Sequence, residues 1–506
     1  MSKKESILGI KNYNFPIIEI SILVIIALSL RFIFFESEIP LVLDSLTYFS
    51  FSYETKILGH YPEIVPFTNL GWAWILTFFF NIFSFDSAIE YMNLQKVISV
   101  ILSSLTIIPV YLLCRRFTER KYALFASSLL VFDPRIIQNS LLGITDTLYL
   151  FMMTFVFVLF FNTQKKYVYA AFGLAALATL VRAEGVFVFI AISILFFIKF
   201  KSEEKIILKY LVGFGIFILI LSPVLVERLE MFQNEFIVQP FEKSEIITNS
   251  EQNLLSSTII GFENFIKFLG WITIPVYLVF LVPGFFLMIK KWKKENFEII
   301  IPIIVMSIPI FYAYSIPAQD TRYLFVLFPF LSIIASFSVL ALGKRIHDIR
   351  KILVIILVVV IISSTVFLYE RTDFLLEKES YLISKYLVDN AQGVNKFYPE
   401  SGFIRSSEVL RDFPDIPYKD DFGEYTHRIK VFKIQEDNLL EFIDVHKEEG
   451  LSHIVIDYNP NRNKILTDIF KAENNYPFLE KVMDTKDLGW KYHFKIFKIN
   501  YDYLRK

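Results

Sequence analysis

The chain has 506 residues, 55% of them hydrophobic and 17% aromatic, with a mean hydropathy of +0.51. Its 51 Lys and Arg match 51 Asp and Glu, so the net charge is zero and nothing suggests a nucleic-acid partner. Charged residues make up 20%, against about 25% in ordinary soluble domains, and that balance points to a bilayer. The single cysteine, Cys114, excludes an internal disulfide.

From Phe15 to about Tyr369, apolar runs of roughly 18 or more residues recur between short charged breaks, the length needed to cross hydrocarbon. The first run, Phe15 to Phe35, has no small-residue cleavage site after it and reads as a retained span. Basic clusters mark cytoplasmic loops. They are Lys3, Lys4 and Lys11; Arg115, Arg116, Arg120 and Lys121; Lys165 and Lys166; Lys199, Lys201 and Lys205; Lys290, Lys291, Lys293 and Lys294; Lys344, Arg345, Arg350 and Lys351. Placing all of them on one side predicts eleven spans, roughly at 16–35, 92–113, 122–137, 146–163, 167–181, 184–199, 206–226, 262–289, 297–316, 323–342 and 352–369. The N-terminus is then cytoplasmic and the C-terminus outside. The stretch Leu70–Phe85 is short for a crossing and reads as a helix lying in the outer interface.

After Glu370 the pattern changes to mixed helix and strand. Helices are predicted at Leu375–Asn390, at Asp437–Glu449 closed by Gly450, and around Lys464–Lys471. Strands are predicted near Lys396–Tyr398, at Ile429–Ile434, Ser452–Asp457 and Trp490–Ile499. The expected fold is therefore a polytopic α-helical membrane domain (1–371, about 11 transmembrane helices) followed by a small soluble α/β domain (372–506). That domain carries no Gly-rich phosphate loop and no metal-spaced His/Cys set, and is expected outside the cell membrane in a supporting or acceptor-recognising role.

The outer loops of this topology are Glu36 to about Tyr91, Pro134–Thr145, Arg182–Glu184, Glu227–Gly261 and Ala318–Arg322. Unusual charges gather at their edges: Asp44 in "IPLVLDSLTYFSFSYE", Asp133 and Asp146 in "FDPRIIQNSLLGITDTLYLF", Arg182 and Glu184 in "LVRAEGVF", and Asp320 and Arg322 in "AQDTRYLFVLFPFL". Each has a bland reading. Asp44 and Asp146 suit helix starts, Asp133 before Pro134 is a turn signal, the arginines suit interfacial anchors or ion pairs, and Lys56 and His60 suit solvent. Taken as a set they suit one chemistry. A carboxylate accepts a proton from an acceptor hydroxyl; guanidiniums neutralise a departing phosphate through bidentate hydrogen bonds.

The order of these features resembles the membrane-embedded GT-C glycosyltransferases, above all the protein O-mannosyltransferase and aminoarabinose transferase branch (glycosyltransferase family 39-like). The pieces are Asp44 with Tyr48, the prolines Pro62 and Pro66 leading into "LGWAWILTFFFNIFSF", the turn with Arg115 and Arg116, Pro134 with Thr145 and Asp146, and "RYLFVLFPFL" with Arg322, Tyr323 and Pro329. The resemblance covers roughly residues 15–345. It implies inverting transfer from a polyprenyl-phosphate (dolichyl-type) sugar to a protein, lipid or glycan acceptor at the membrane's outer face. Carried over residue by residue, it makes Asp44 the base and Asp146 the second acid. Arg182 and Arg322 become phosphate partners. Beside what the resemblance carries over, Glu184, Tyr48, Lys56 and His60 are expected as further substrate contacts. The chain departs from many relatives at Ser45, where they carry an Asp-Glu pair. Oligosaccharyltransferase catalytic subunits match less well, since the only Trp after residue 371 is Trp490 and no DxD follows the first span. No cofactor is expected, and no metal is indicated. Two other classes remain: a lipid or solute transporter or flippase, whose charges would sit near the midplane of repeated helices, and an anchored sensor, for which one span would suffice. Acids and arginines around one lipid-open groove would separate these readings.

Overall fold

A computed structural model describes residues 15–41, 44–62, 69–232, 254–273, 277–290, 292–315, 320–346, 348–372, 374–397, 429–436, 438–457 and 463–504. Several predicted features lie outside these residues: Lys3, Lys4, Lys11, Pro66, Lys291, Ala318, Tyr398 and Asp437, and the stretch 233–253 of the fourth loop. In chain order the helices are α1 (Ile17–Ile33), α2 (Asp44–Leu58), α3 (Gly71–Ile82), α4 (Ala88–Leu105), α5 (Ile107–Phe117), α6 (Arg120–Val131), α7 (Pro134–Ser140), α8 (Asp146–Phe160), α9 (Lys165–Val181), α10 (Gly185–Lys199) and α11 (Ile206–Phe232). There follow α12 (Leu254–Thr273), α13 (Leu278–Lys290), α14 (Phe297–Ser315), a 3-10 helix (Thr321–Leu327), α15 (Phe328–Gly343), α16 (Ile349–Arg371), α17 (Leu375–Asn390), α18 (Leu439–His446), α19 (Lys464–Lys471) and α20 (Tyr501–Leu504).

The described residues divide into two compact units. The first takes those within Met1–Phe35, Phe67–Trp72 and Lys96–Glu370; the second takes those within Glu36–Pro66, Ala73–Gln95 and Arg371–Lys506. In the first unit, α8 packs on α9, α9 on α10 and α11, and α15 on α6 and α13. Arg31, fully buried on α1, donates to Ser103 Oγ at 2.9 Å and to the Val131 carbonyl at 3.1 Å, pinning α1 to the end of α6. Ser364 on α16 donates to the neighbouring Phe132 carbonyl at 2.6 Å.

By length and hydropathy, five helical stretches among the described residues suffice to cross a membrane: Ala88–Phe117, Ile206–Val226, Lys294–Ser315, Thr321–Gly343 and Ile349–Asn390. A sixth arises if the pair Ser257–Thr273 and Leu278–Lys290, bent by 115°, counts as one. Eleven full-length spans were expected. The shortfall comes from helices such as α8 and α10, each 15 residues long and therefore about 22 Å against a core of about 30 Å. The expected span 122–137 is broken. Pro134 lacks an N–H and pushes the residue before it out of the helical region, so Asp133 is extended (φ −65°, ψ 126°). Its Oδ1 caps α7 by accepting from the N–H groups of Arg135 (3.0 Å) and Ile136 (3.3 Å). The expected span 262–289 is likewise two helices rather than one.

The second unit holds a five-stranded sheet ordered β2-β1-β3-β5-β4, with β1 (Gly393–Asn395), β2 (Lys430–Phe432), β3 (His453–Asp457), β4 (Leu479–Asp484) and β5 (Phe494–Ile499). β1 runs parallel to β2 and β3, while β5 is antiparallel to β3 and β4. Helices α17 and α19 form where the sequence placed them, but β1 begins three residues before the expected Lys396. Asn395 is the last residue of β1 and bonds to β3 through its side chain. Its amide donates to the Val455 carbonyl at 2.9 Å and accepts from the Val455 N–H at 2.6 Å, standing in for ladder bonds. Gly450 has φ +100° in the turn after α18, a conformation a side chain would strain. The described first-loop residues other than those within Phe67–Trp72 belong to this unit, where Lys378 on α17 pairs with Glu38.

Candidate active site

Three helix ends and one short 3-10 helix in the first unit bring charges together. Asp146 opens α8, Arg182 is the C-cap of α9, Glu184 is the N-cap of α10, and Asp320 caps the Thr321–Leu327 helix that carries Arg322. An acid at a helix start and an arginine at a helix end each suit the helix dipole, by about 0.3–1 kcal/mol. The tight connection between α9 and α10 depends on Gly185, since a Cβ there would lie 2.5 Å from the Thr179 N. Gly71 allows a second close approach, because a Cβ would meet the Val181 N at 2.9 Å, and the adjacent Trp72 donates to the Gly143 carbonyl at 3.1 Å. The polypeptide on both sides of Arg182 is thus held by backbone contact.

Arg182 donates to Asp146 Oδ1, to Glu184 Oε1 at 2.8 Å and, at a long 3.4 Å, to Glu184 Oε2. Arg322 donates through Nε to Asp320 Oδ2 at 2.6 Å, and its Nη1 lies 3.8 Å from Asp146 Oδ2. Burial opposes ionisation of Glu184 in the turn, but the Arg182 charge and hydrogen bond outweigh it and hold the carboxyl below the usual carboxylate range. The Asp146 side chain is 10% exposed and those of Arg322 and Glu184 about a third. Removing the Arg182 guanidinium takes from both carboxyls the partner they share, at a cost of about 3–5 kcal/mol. The sequence reading missed Tyr149, one turn along α8 from Asp146, buried, and within electrostatic reach of Glu184 and Arg182. Its signal was a phenol in "TDTLYLF" at the i+3 position that shares a helix face with the acid.

The remaining expected residues belong to the second unit. Asp44 is exposed and is the first residue of α2, as its helix-start reading anticipated. Tyr48 is half-buried one turn on. Lys56 Nζ donates to the carbonyls of Phe80 (2.6 Å) and Phe83 (3.0 Å) and to the Tyr91 hydroxyl, so its three donors finish the end of α3. His60 is exposed, its Nδ1 2.9 Å from the Tyr61 carbonyl oxygen. Among the described residues no three His, Cys, Asp or Glu side chains group in metal-holding geometry. Asp133 caps α7 through Oδ1, and its Oδ2 is buried with no hydrogen-bond partner among the described residues.

The family model for dolichyl-phosphate-mannose-protein mannosyltransferase matches residues 68–226. No curated protein sequence matches this chain. Among solved structures, ArnT from Cupriavidus metallidurans bound to undecaprenyl phosphate is similar, with a TM-score of 0.56 at 12% identity over 96% of this chain and 98% of that one. The Archaeoglobus fulgidus oligosaccharyltransferase tethered to an acceptor peptide has a TM-score of 0.56 at 14% identity, over 87% of this chain and 69% of that one. The same archaeal protein, AglB, with an inhibitory peptide and a dolichol-phosphate scores 0.52 at 13% identity. All are GT-C membrane glycosyltransferases, and the expected GT-C fold holds. The TM-scores do not separate the two relatives, whereas their lengths do: this chain spans nearly all of ArnT.

Proposed function

We propose that this chain is a membrane glycosyltransferase that moves a sugar from a polyprenyl-phosphate carrier to an acceptor at the outer face, inverting the anomeric carbon. The observation that carries this reading is the buried Asp146 locked by Arg182, with Arg322 in reach, at the meeting of helix ends. Undecaprenyl phosphate on ArnT and a dolichol-phosphate on AglB support the carrier class. In the proposed reaction the acceptor oxygen bonds to the anomeric carbon while the carbon–oxygen bond to the phosphate breaks. The electron pair leaves with the phosphate, and Asp44 takes the acceptor's proton. Arg322, whose side chain is more exposed than that of Arg182, meets the growing phosphate charge, and Arg182 keeps Asp146 in place.

Tyr48 and His60 are proposed to contact substrate beside Asp44, while Lys56 supports the loop. A divalent metal is possible but not indicated for the reaction; transfer unchanged by EDTA would fit a metal-free step, and transfer lost in EDTA and restored by a divalent cation would overturn it. We assign the membrane part to residues 1–371 with eleven crossings, some tilted or broken, the N-terminus to the cytoplasm, and residues 372–506 to the outside. The test is transfer from a panel of radiolabelled polyprenyl-phosphate hexoses into membranes. Asp44→Asn is expected to fold normally and lose about 10²–10⁴-fold in rate. Undiminished transfer by Asp44→Asn removes Asp44 as the base, and absence of transfer by the parent protein from every donor, with acceptor membranes present, removes the reading.

A further inference from the structure

Two buried polar atoms on one face of α8 have no hydrogen-bond partner among the described residues: Asp146 Oδ2 and the Tyr149 hydroxyl. The residues are 8% and 2% exposed. Arg322 Nη1, 3.8 Å from Asp146 Oδ2, is close enough for charge attraction and too far for a hydrogen bond. A buried group left short in this way destabilises a fold, and a tyrosine hydroxyl in an apolar helix could be lost to phenylalanine without disturbing packing. A phenol hydroxyl without a partner, beside an acid that is short of one bond, points to a partner from outside the protein. The two atoms differ in kind. An ionised carboxylate oxygen only accepts, whereas the phenol can donate. One group that satisfies both at once is an alcohol, whose oxygen accepts from Tyr149 and whose hydrogen goes to Asp146. A phosphate oxygen would suit Tyr149 and be repelled by Asp146.

We propose that Asp146 Oδ2 and Tyr149 form a sub-site for one hydroxyl of the transferred sugar, beside Arg322, which meets its phosphate. This inference rests on the donor class given above. It makes Asp146 a sugar-holding acid rather than a proton acceptor in the chemical step, and Tyr149 a residue that separates a sugar-loaded carrier from a bare one. A donor whose sugar lacks that hydroxyl would leave both atoms unpaired, the arrangement by which polar sites reject deoxy analogues most strongly.

The experiment is equilibrium binding of two probes, a polyprenyl-phosphate hexose and the same polyprenyl phosphate without sugar, to the full chain in detergent. The hexose is the tightest-binding of mannose, glucose and galactose. The parent protein is expected to bind the sugar-loaded probe more tightly than the bare one. Tyr149→Phe is expected to weaken the sugar-loaded probe by about 3- to 10-fold and leave the bare probe unchanged. Because the hydroxyl it removes has no partner, Tyr149→Phe is also expected to keep or raise the Tm of the ligand-free protein. Equal weakening of both probes, or a lowered Tm, would make Tyr149 structural and overturn the sub-site. Equal affinity of the parent protein for both probes overturns the sub-site while leaving the carrier reading standing. Failure to bind either probe overturns both.

Discussion

Two long cations, one in each compact unit, spend their hydrogen bonds in opposite ways. Lys56 gives all three donors to neutral oxygens, two of them backbone carbonyls at the end of α3, and its ammonium also lies 4.3 Å over the Tyr91 ring. Arg182 gives its donors to Asp146 and Glu184, whose second oxygens remain to be matched by something else or by a poor bond. A cation that ends on carbonyls completes local structure and leaves nothing over for a ligand. One that ends on carboxylates builds a rigid polar surface with acceptor capacity to spare. The contrast separates two residues that looked alike in sequence, each a lone cation near the outer boundary.

Breaking the Arg182 side should have the largest effect. Arg182→Met takes from Asp146 and Glu184 the guanidinium they share, leaving Asp146 only the 3.8 Å approach of Arg322, and is expected to cost about 3–5 kcal/mol, seen as a large drop in Tm and in detergent-soluble yield. Arg182→Lys keeps the charge but not the planar fork, and should recover only part of that loss. Full recovery by lysine would mean that charge alone, not the three-bond arrangement, organises the site. Lys56→Met is expected to cost about 2–3 kcal/mol, since two helix-end carbonyls lose a charged donor. It should leave the affinity for a polyprenyl-phosphate sugar within about twofold, because the lysine has no donor left for one. A strong affinity loss at unchanged Tm would reverse the comparison and return Lys56 to the substrate.

Smaller than either is the expected effect of Gly185→Ala. The added methyl would sit 2.5 Å from the Thr179 backbone, so the turn that carries Arg182 and Glu184 has to shift. An overpacking cost of about 1–3 kcal/mol is expected, with weakened donor binding out of proportion to the Tm change. Should binding hold while Tm falls, the turn's position would not matter to the site.

Much of this was readable in advance, and the reasons for what was not are physical. The charges at Asp146, Arg182, Glu184, Asp320 and Arg322 stood out because ionisable residues at the edge of apolar runs are costly. Their convergence at one place is a fact of helix packing, which the order of spans alone does not contain. Tyr149 escaped notice because a tyrosine in an apolar helix looks like core until its hydroxyl is found unpaired. Lys56 misled for the opposite reason, since no pattern in "SYETKILGH" reveals that it reaches carbonyls 24 and 27 residues further on. In the small sheet, β4 was passed over because "LEKVMD" alternates weakly, and it forms only through pairing with β5 across an irregularity between Lys481 and Met483.

The smallest predicted effect sharpens the contrast from the side of the second unit. His453 lies buried on the central strand β3, its Nδ1 2.9 Å from Ser452 Oγ. Burial, with a smaller push from Lys498, lowers its imidazole to about 4. An unfolded chain takes up the proton near about 6.5, so below that pH the unfolded state binds more protons than the folded one and is favoured. Stability from this group is therefore present above about 6.5 and is lost as pH falls from there toward about 4, by on the order of 1–2 kcal/mol between pH 7 and 5. Amide exchange in residues 453–457 of the full chain, corrected for the intrinsic pH dependence, should show that loss of protection, and His453→Gln should remove its pH dependence. The charged cluster around Asp146 has no histidine among its named members, so this histidine-borne loss belongs to the sheet. Protection in 453–457 that ignores pH over this window would mean the histidine's burial is relieved in solution, and the difference between the units would then rest on Lys56 and Arg182 alone.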